Sequence, residues 1–224
     1  MQKVTALIVA AGSGTRMNTR IKKQFLLIKD VPVLVHTVLA FEKSEKIDDI
    51  VIVTAKEDIA KVNDLVKQYG LNKVSNVVAG GDTRTESVRN GLMYVKSDFV
   101  AIHDGVRPCI KEERIKQVVE EAKKHGGAAL GVPVTDTLKV VEGDEIKNTV
   151  DRSSLWQIQT PQCFDTEVLK DAYGKNEGLT YTDDCQIFES RGIGVKVVKG
   201  DKINIKITTA EDLELAEFLL AKKE

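Results

Sequence analysis

The residues best suited to chemistry are two glycine loops and a carboxylate, each with cations close by. Ala10-Ala11-Gly12-Ser13-Gly14-Thr15-Arg16-Met17 is followed by Lys22-Lys23-Gln24. Paired glycines let backbone N–H groups approach an anion, and Arg16 and Lys23 can neutralise its charge. Neither common nucleotide fingerprint fits, because Met17 takes the third glycine position of GxGxxG and no Gly-Lys-Ser/Thr follows. A tight strand-to-helix turn is the plainer reading. In Ala79-Gly80-Gly81-Asp82-Thr83-Arg84-Thr85-Glu86-Ser87, the glycines could bring backbone against a flat base, with Asp82 and Ser87 as hydrogen-bonding side chains. The alternative is a helix start capped by Thr85 or Asp82. Ile102-His103-Asp104-Gly105-Val106-Arg107-Pro108 sets a carboxylate suited to a metal ion or ribose hydroxyls near an arginine suited to bidentate phosphate contact. A plain Asp–Arg ion pair would also account for it. His103 reads as structural, since no nucleophile neighbours it.

The downstream groups are bland singly: Asp136-Thr137, Asp151-Arg152, Thr160-Pro161-Gln162, Thr182-Asp183-Asp184 and Asn204-Ile205-Lys206. Asp183-Asp184 could cap a helix, and Trp156 reads as core. Taken together, the chain offers glycine loops, arginines, lysines and a carboxylate, without a Ser-His-Asp or Cys-His set. That composition suits phosphoryl or nucleotidyl transfer, which needs in-line positioning, Mg²⁺ and cations around phosphorus more than covalent help from the protein.

Such groups need a scaffold, and the sequence supplies an α/β one. Apolar runs at Val4–Ala10, Asp49–Thr54, Val74–Ala79, Phe99–Ile102 and Ala128–Val134 alternate with helical patterns at Val33–Lys43, Asp58–Tyr69, Thr85–Lys96 and Glu112–His125. This predicts a Rossmann-like, mostly parallel sheet with helices on both faces, in one domain over residues 1–224. Ligands of such sheets bind beyond the carboxyl ends of the strands, where the glycine loops fall. Thr208-Thr209-Ala210-Glu211-Asp212 opens a C-terminal amphipathic helix with a capping box. The stretch from Thr137 to Val150, turning at Gly143-Asp144, reads as a protruding β-hairpin arm, bounded as 137–151. A lone hairpin is marginal in water, so it should pack on its own domain or on a second subunit.

Composition narrows the partners. With 33 Lys+Arg against 34 Asp+Glu in 224 residues the net charge is −1, so no global field favours nucleic acid or an anionic membrane. No apolar run is long enough to span a bilayer, and the opening residues read as a buried strand rather than a leader. Cys109, Cys163 and Cys185 are too widely spaced for a disulfide framework or zinc site. They read as packing residues in a reducing cytoplasm.

The motifs then resemble a known family. Val9 to Met17, Lys23-Gln24, His103 to Pro108, Asp136-Thr137, Val150-Asp151-Arg152, Gln159 to Gln162, Thr182-Asp183 and Asn204 to Thr208 occur in the order found in 2-C-methyl-D-erythritol 4-phosphate cytidylyltransferases. The resemblance covers essentially the whole chain. It implies transfer of CMP from CTP to a sugar-alcohol phosphate with release of pyrophosphate, using Mg²⁺. By that analogy Arg16, Lys23, Arg152 and Lys206 are catalytic, and Ala10, Ala11, Gly12, Gly14, Gly81, Asp82, Ser87 and Asp104 bind the nucleotide. Arg107, Thr137, Arg152 and Lys206 would bind the acceptor, Asp104 the metal. The analogy further implies a homodimer through the 137–151 arm, with Thr137 and Arg152 serving the partner's site. Three departures stand out: Lys22 where the family usually has Pro, Gly105-Val106 where it has two alanines, and Cys185 where a small Ala is expected. The last two lean toward ribitol-5-phosphate cytidylyltransferases, the alternative reading, whereas Ala10-Ala11-Gly12, Val150-Asp151-Arg152 and Leu155-Trp156 favour the methylerythritol family. A regulatory module that binds CTP without turnover is the reading from another class.

Overall fold

The computed structural model describes residues 2–12, 21–175 and 181–222. In chain order its elements are β1 (Val4–Ala10), β2 (Leu27–Ile28), β3 (Val31–Pro32), α1 (Val33–Glu42), β4 (Asp49–Thr54), α2 (Ile59–Gln68), β5 (Val74–Ala79), α3 (Arg84–Leu92) and β6 (Phe99–Asp104). There follow α4 (Glu112–His125), β7 (Gly127–Pro133), β8 (Leu138–Glu142), β9 (Glu145–Val150), β10 (Trp156–Asp165), α5 (Thr166–Lys175), α6 (Asp184–Glu189), β11 (Lys196–Lys199) and α7 (Ala210–Ala221).

Among the described residues seven strands form one sheet in the order β11-β7-β10-β6-β1-β4-β5. The pairs β6–β1, β1–β4, β4–β5 and β11–β7 are parallel. Only β10 opposes its neighbours, β6 and β7. The apolar runs form buried strands because both faces are covered. Ala6, Ile8, Ile50, Ile52 and Ala101 pack with Phe41 of α1, Val62 of α2 and Ile115 of α4. Their strand neighbours Leu7, Val51, Val53, Val100 and Ile102 pack on the other face with Val88 of α3, Leu169 of α5 and Phe188 of α6. A third cluster joins Ile28, Val106, Cys109 and Ile207 to Ala216 of α7. The mostly parallel, doubly covered sheet is therefore as the sequence predicts.

Several expectations need correction. Helix α3 ends at Leu92 rather than Lys96, because turn hydrogen bonds from Tyr94 to Gly91 and from Val95 to Leu92 bring Val95 into the core. Its cap is Thr83, in a reciprocal box with Glu86, rather than Thr85 or Asp82. Strand β6 runs on to Asp104, and β7 sits one residue earlier than expected. Trp156 is not core: it opens β10 beside the arm and keeps 41% of its surface exposed. Strand β10 was not foreseen, since Pro161 argues against a strand interior. A register shift between Ile158 and Gln162 accommodates it.

The arm is there as β8 and β9, turning through Gly143 at φ 61°. Nearly every residue along it is exposed, including Val140, Val141 and Ile146. The three cysteines are buried and form no disulfide.

His103 shows how dry the inner strands are. Its ring lies 4.9 Å from that of Phe41, and Nε2 sits 3.2 Å from the Arg107 carbonyl, which an N–H must satisfy. Burial pushes its pKa down from 6.5 to about 3. Within that window the unfolded chain takes up a proton that the folded chain refuses. Its contribution is therefore complete above about pH 6.5 and is lost toward pH 3, by about 1.4 kcal/mol per pH unit. The ring resonances of His103 should accordingly stay unchanged from about pH 8 to about pH 5. A titration midpoint near the ordinary histidine value would contradict this.

Candidate active site

A cavity of about 620 Å³ opens beyond the carboxyl ends of β1, β4, β5 and β6. Its walls come from segments far apart in sequence. The turn after β1 supplies Ala10, Ala11 and Gly12, and the 3-10 turn Lys23–Phe25 supplies Lys23 and Gln24. The connection after β4 gives Ala55, Lys56 and Glu57. Gly80, Gly81, Asp82 and Thr83 follow β5, with Arg84 and Ser87 from α3. Asp104 and Val106 come from the end of β6, and Lys206 from the segment before α7.

Local chemistry explains the close approach of these loops. A Cβ on Gly80 would lie 2.5 Å from Ala11 Cβ and 2.6 Å from Ser87 Oγ, so only glycine lets the two loops meet there. Ser87 Oγ accepts from Gly81 N–H at 3.1 Å. The Glu86 carboxylate takes the N–H groups of Asp82 at 2.8 Å and Thr83 at 3.3 Å. The α3 cap thus orders the loop that lines the cavity. On the other side, Gln24 donates to the carbonyls of Ala10 at 2.9 Å and Gly12 at 3.2 Å.

Asp104 is the electrostatic centre. Lys206 Nζ lies 3.0 Å and Arg107 Nε 3.3 Å from its Oδ2, with Arg84 Nε 3.6 Å from Oδ1. Its own N–H donates to the Thr160 hydroxyl at 3.1 Å. Burial alone would push the carboxyl up, but Arg84, Lys206 and Arg107 outweigh it and hold the group well below the usual carboxylate range. Arg84 extends the network away from the cavity by donating through Nη2 to Asp184 Oδ2 at 2.7 Å. Asp184, fully buried, also accepts from Tyr173 OH at 2.6 Å. Its N–H and that of Cys185 both donate to Gln162 Oε1. One guanidinium therefore joins the cavity carboxylate to a buried one.

The structure brings Ala10, Ala11, Gly12, Lys23, Gly81, Asp82, Ser87, Asp104 and Lys206 together on one cavity. Gly14 and Arg16 lie outside the described residues. Arg107 does not line the cavity: it sits behind Asp104 and donates to the Asn204 carbonyl at 2.8 Å, so the plain Asp–Arg pair is what forms. Thr137 and Arg152 are exposed beside the arm and reach no part of the cavity of their own chain. Arg152 donates instead to the Thr135 carbonyl. Cys185, whose departure from the family pattern leaned toward the ribitol family, is buried in α6 and does not line the cavity. The capping aspartate is Asp183, which accepts from Gln186 N–H at 3.0 Å, leaving Asp184 for the network. Sequence reasoning missed Arg84, Lys56 and Glu57. For the last two, their place just past the carboxyl end of β4 was the available signal.

The chain matches known proteins over nearly its whole length. The family model IspD, 2-C-methyl-D-erythritol 4-phosphate cytidylyltransferase, matches residues 4–222. A relative of that name from Clostridium novyi is 44% identical over 225 residues, covering 98% of this chain and 97% of its own. Another from Syntrophus aciditrophicus is 45% identical over 228 residues, covering 99% and 97%. The crystal structure of 4-diphosphocytidyl-2C-methyl-D-erythritol synthase from Anaerococcus prevotii superposes with a TM-score of 0.85 at 32% identity, covering 98% of this chain and 96% of that one.

The Arg84–Asp184 link makes a stability prediction. Asp184→Asn keeps the size but weakens the countercharge, and should cost about 2 kcal/mol. That is less than for a fully buried pair, because Arg84 keeps 25% of its side chain exposed. Asp183→Ala removes the α6 cap and the bond from Gln162 Nε2 to Oδ2 at 3.1 Å, with no charge pair lost, and should cost about 1–1.5 kcal/mol. Urea unfolding of both variants is the check, and a loss at Asp184 no greater than at Asp183 would remove the network from the account.

Proposed function

Because the chain belongs to the 2-C-methyl-D-erythritol 4-phosphate cytidylyltransferase family, whose members move CMP from CTP to 2-C-methyl-D-erythritol 4-phosphate on the non-mevalonate route to isoprenoids, we propose that the cavity at the strand ends is where this transfer takes place. The observation that carries the reading is the convergence of Arg84 and Lys206 on Asp104, with Lys23 on the wall of the same cavity beside Gly80 and Gly81. The ribitol 5-phosphate alternative is set aside because relatives 44% and 45% identical over nearly the whole chain carry the methylerythritol name; of its two markers, Val106 lines the cavity and Cys185 does not.

A phosphate oxygen of the acceptor attacks the α-phosphorus of CTP; the bond to the β-phosphate oxygen breaks and pyrophosphate leaves. The cytosine end fits the Gly80–Asp82 wall, where Ser87 fixes the Gly81 backbone and Asp82 offers a hydrogen-bonding carboxylate. Ala10, Ala11 and Gly12 bring backbone to the other side. Lys23 and Lys206 supply charge to the α-phosphate as negative charge gathers there. Arg16, outside the described residues, keeps the catalytic role that the resemblance implies. Asp104 holds Lys206 in place, and Arg107 holds Asp104 from behind.

Magnesium fits the donor set. Asp104 is an ionised oxygen donor on the cavity wall, while among the described residues no group of three acidic, histidine or cysteine side chains gathers to hold a metal alone. One carboxylate together with substrate phosphate oxygens is an ordinary magnesium arrangement. When bound, the ion neutralises charge on the departing pyrophosphate.

The exposed arm, with Val140, Val141 and Ile146 uncovered, supports a homodimer in which Thr137 and Arg152 reach the partner's acceptor end. Among the described residues no helix is long and apolar enough to cross a membrane. Three cysteines without a disulfide are consistent with a cytoplasmic setting.

Three measurements test this. Pyrophosphate release with CTP and Mg²⁺ should require 2-C-methyl-D-erythritol 4-phosphate rather than ribitol 5-phosphate. Lys23→Ala and Lys206→Ala should each lower kcat by about 10²–10³ with smaller changes in KM; a near-native kcat in both would refute their roles. Mixing Lys23→Ala with Arg152→Ala chains should restore about a quarter of native activity, because half the dimers then hold one intact shared site. No recovery would place Arg152 outside the partner's site.

A further inference from the structure

Lys22, where the family usually has proline, does not add a loose cation to the cavity. Its ammonium donates to Glu57 Oε1 and Asp58 Oδ2, each at 2.6 Å. The bond to Asp58, then that to Glu57, holds the ammonium above its usual pKa, and Lys22 in turn lowers that of Glu57. Both carboxylates belong to the 3-10 turn Lys56–Asp58 that follows β4, and Lys56 and Glu57 line the cavity. A second contact joins the Lys23–Phe25 turn to the helix that follows, since Lys61 of α2 lies 3.9 Å over the Phe25 ring. Lys23 is thus bracketed. Lys22 fastens its N-terminal side to the Lys56–Asp58 turn, and Gln24 fastens its C-terminal side to the Ala10 and Gly12 carbonyls.

The clasp matters more for a ligand than for folding. Glu57 keeps 70% of its side chain exposed, and exposed ion pairs add little stability. A polyphosphate entering beside Lys23 meets the turn directly, however. Without Lys22 that turn presents two carboxylates against one lysine, and with Lys22 the four charges cancel, leaving Lys56 at the wall without net repulsion behind it.

We propose that Lys22 is a positioning residue for the triphosphate end of the site: its double bond to Glu57 and Asp58 neutralises the Lys56–Asp58 turn, of which Glu57 lines the cavity, and so removes negative charge that CTP would otherwise meet beside Lys23. This rests on the CTP reading above. It assigns Lys22 a role in nucleotide affinity, separate from the chemical step.

The test is steady-state pyrophosphate release by the full chain with CTP varied, beside calorimetric CTP binding. Lys22→Met should raise KM and Kd for CTP about five-fold with kcat within about two-fold, the rise shrinking as salt screens the turn. Adding Glu57→Gln and Asp58→Asn to Lys22→Met should bring KM back toward the native value, a rescue that a purely structural role would not give. An unchanged KM in Lys22→Met, a fall in kcat alone, or a triple variant that stays weak would each overturn the clasp while leaving the CTP reading intact. A native chain that neither binds nor turns over CTP would bring down both.

Discussion

The Asp104 carboxylate is the constraint on which the rest of this architecture turns. A buried carboxylate is tolerated only with partners, because its desolvation in an apolar interior is large. Here the partners come from three directions: Arg84 from the start of α3, Arg107 from the loop after β6, and Lys206 from the segment before α7. Each must be delivered by a different connection, so satisfying one charge fixes where three loops end. The antiparallel strand β10 adds a fourth support through the Thr160 hydroxyl. Asn204, which donates to the Thr160 carbonyl at 2.8 Å, ties that strand back to the Lys206 segment.

The same need for compensation explains why a nearly neutral protein can hold an anion. With a net charge of −1 there is no long-range field to draw on. Cations in and next to the cavity are instead held by carboxylates in a fixed pattern: Arg84 by Asp104 and Asp184, and Lys22, behind the wall, by Glu57 and Asp58. Preorganised charge of this kind needs no rearrangement when a substrate develops negative charge beside it.

How far the sequence revealed this depends on whether a feature is local. Strands β1, β4 and β5 and helix α4 were legible to the residue, because a run of apolar residues and a 3.6-residue period are local signals. The glycine loops were legible because close backbone approach demands glycine itself, as Gly80 shows against Ala11. Strand β10 was hidden by Pro161 and polar neighbours, a penalty that a register shift removes only once β7 lies alongside. The Arg84–Asp184 pair spans 100 positions, and no spacing rule connects such residues. Lys56 and Glu57 look like any solvated charges after a strand. Arg107 was legible as a cation with two readings, a phosphate contact or a pair with Asp104 three residues earlier, and the pair is the one that forms.

These captured cations are not equivalent, and their burial sorts them by what they can do. Arg84 spans two carboxylates with a planar fork whose geometry lysine cannot copy. Asp184 beneath it is fully buried, so that end of the fork cannot be given up cheaply. Lys206 makes a single contact to Asp104 while 39% of its side chain remains exposed, so its ammonium can turn from a carboxylate to a phosphate oxygen at little cost in desolvation. The cavity thus combines a fixed guanidinium, which sets the position of Asp104, with a lysine free to follow charge as it moves. An in-line displacement needs both, because the attacked phosphorus must be held while charge shifts from the incoming to the departing oxygen. Replacing Lys206 by arginine would enlarge the donor array yet sacrifice that mobility, and exchanging Arg84 for lysine would release Asp104 from its anchor.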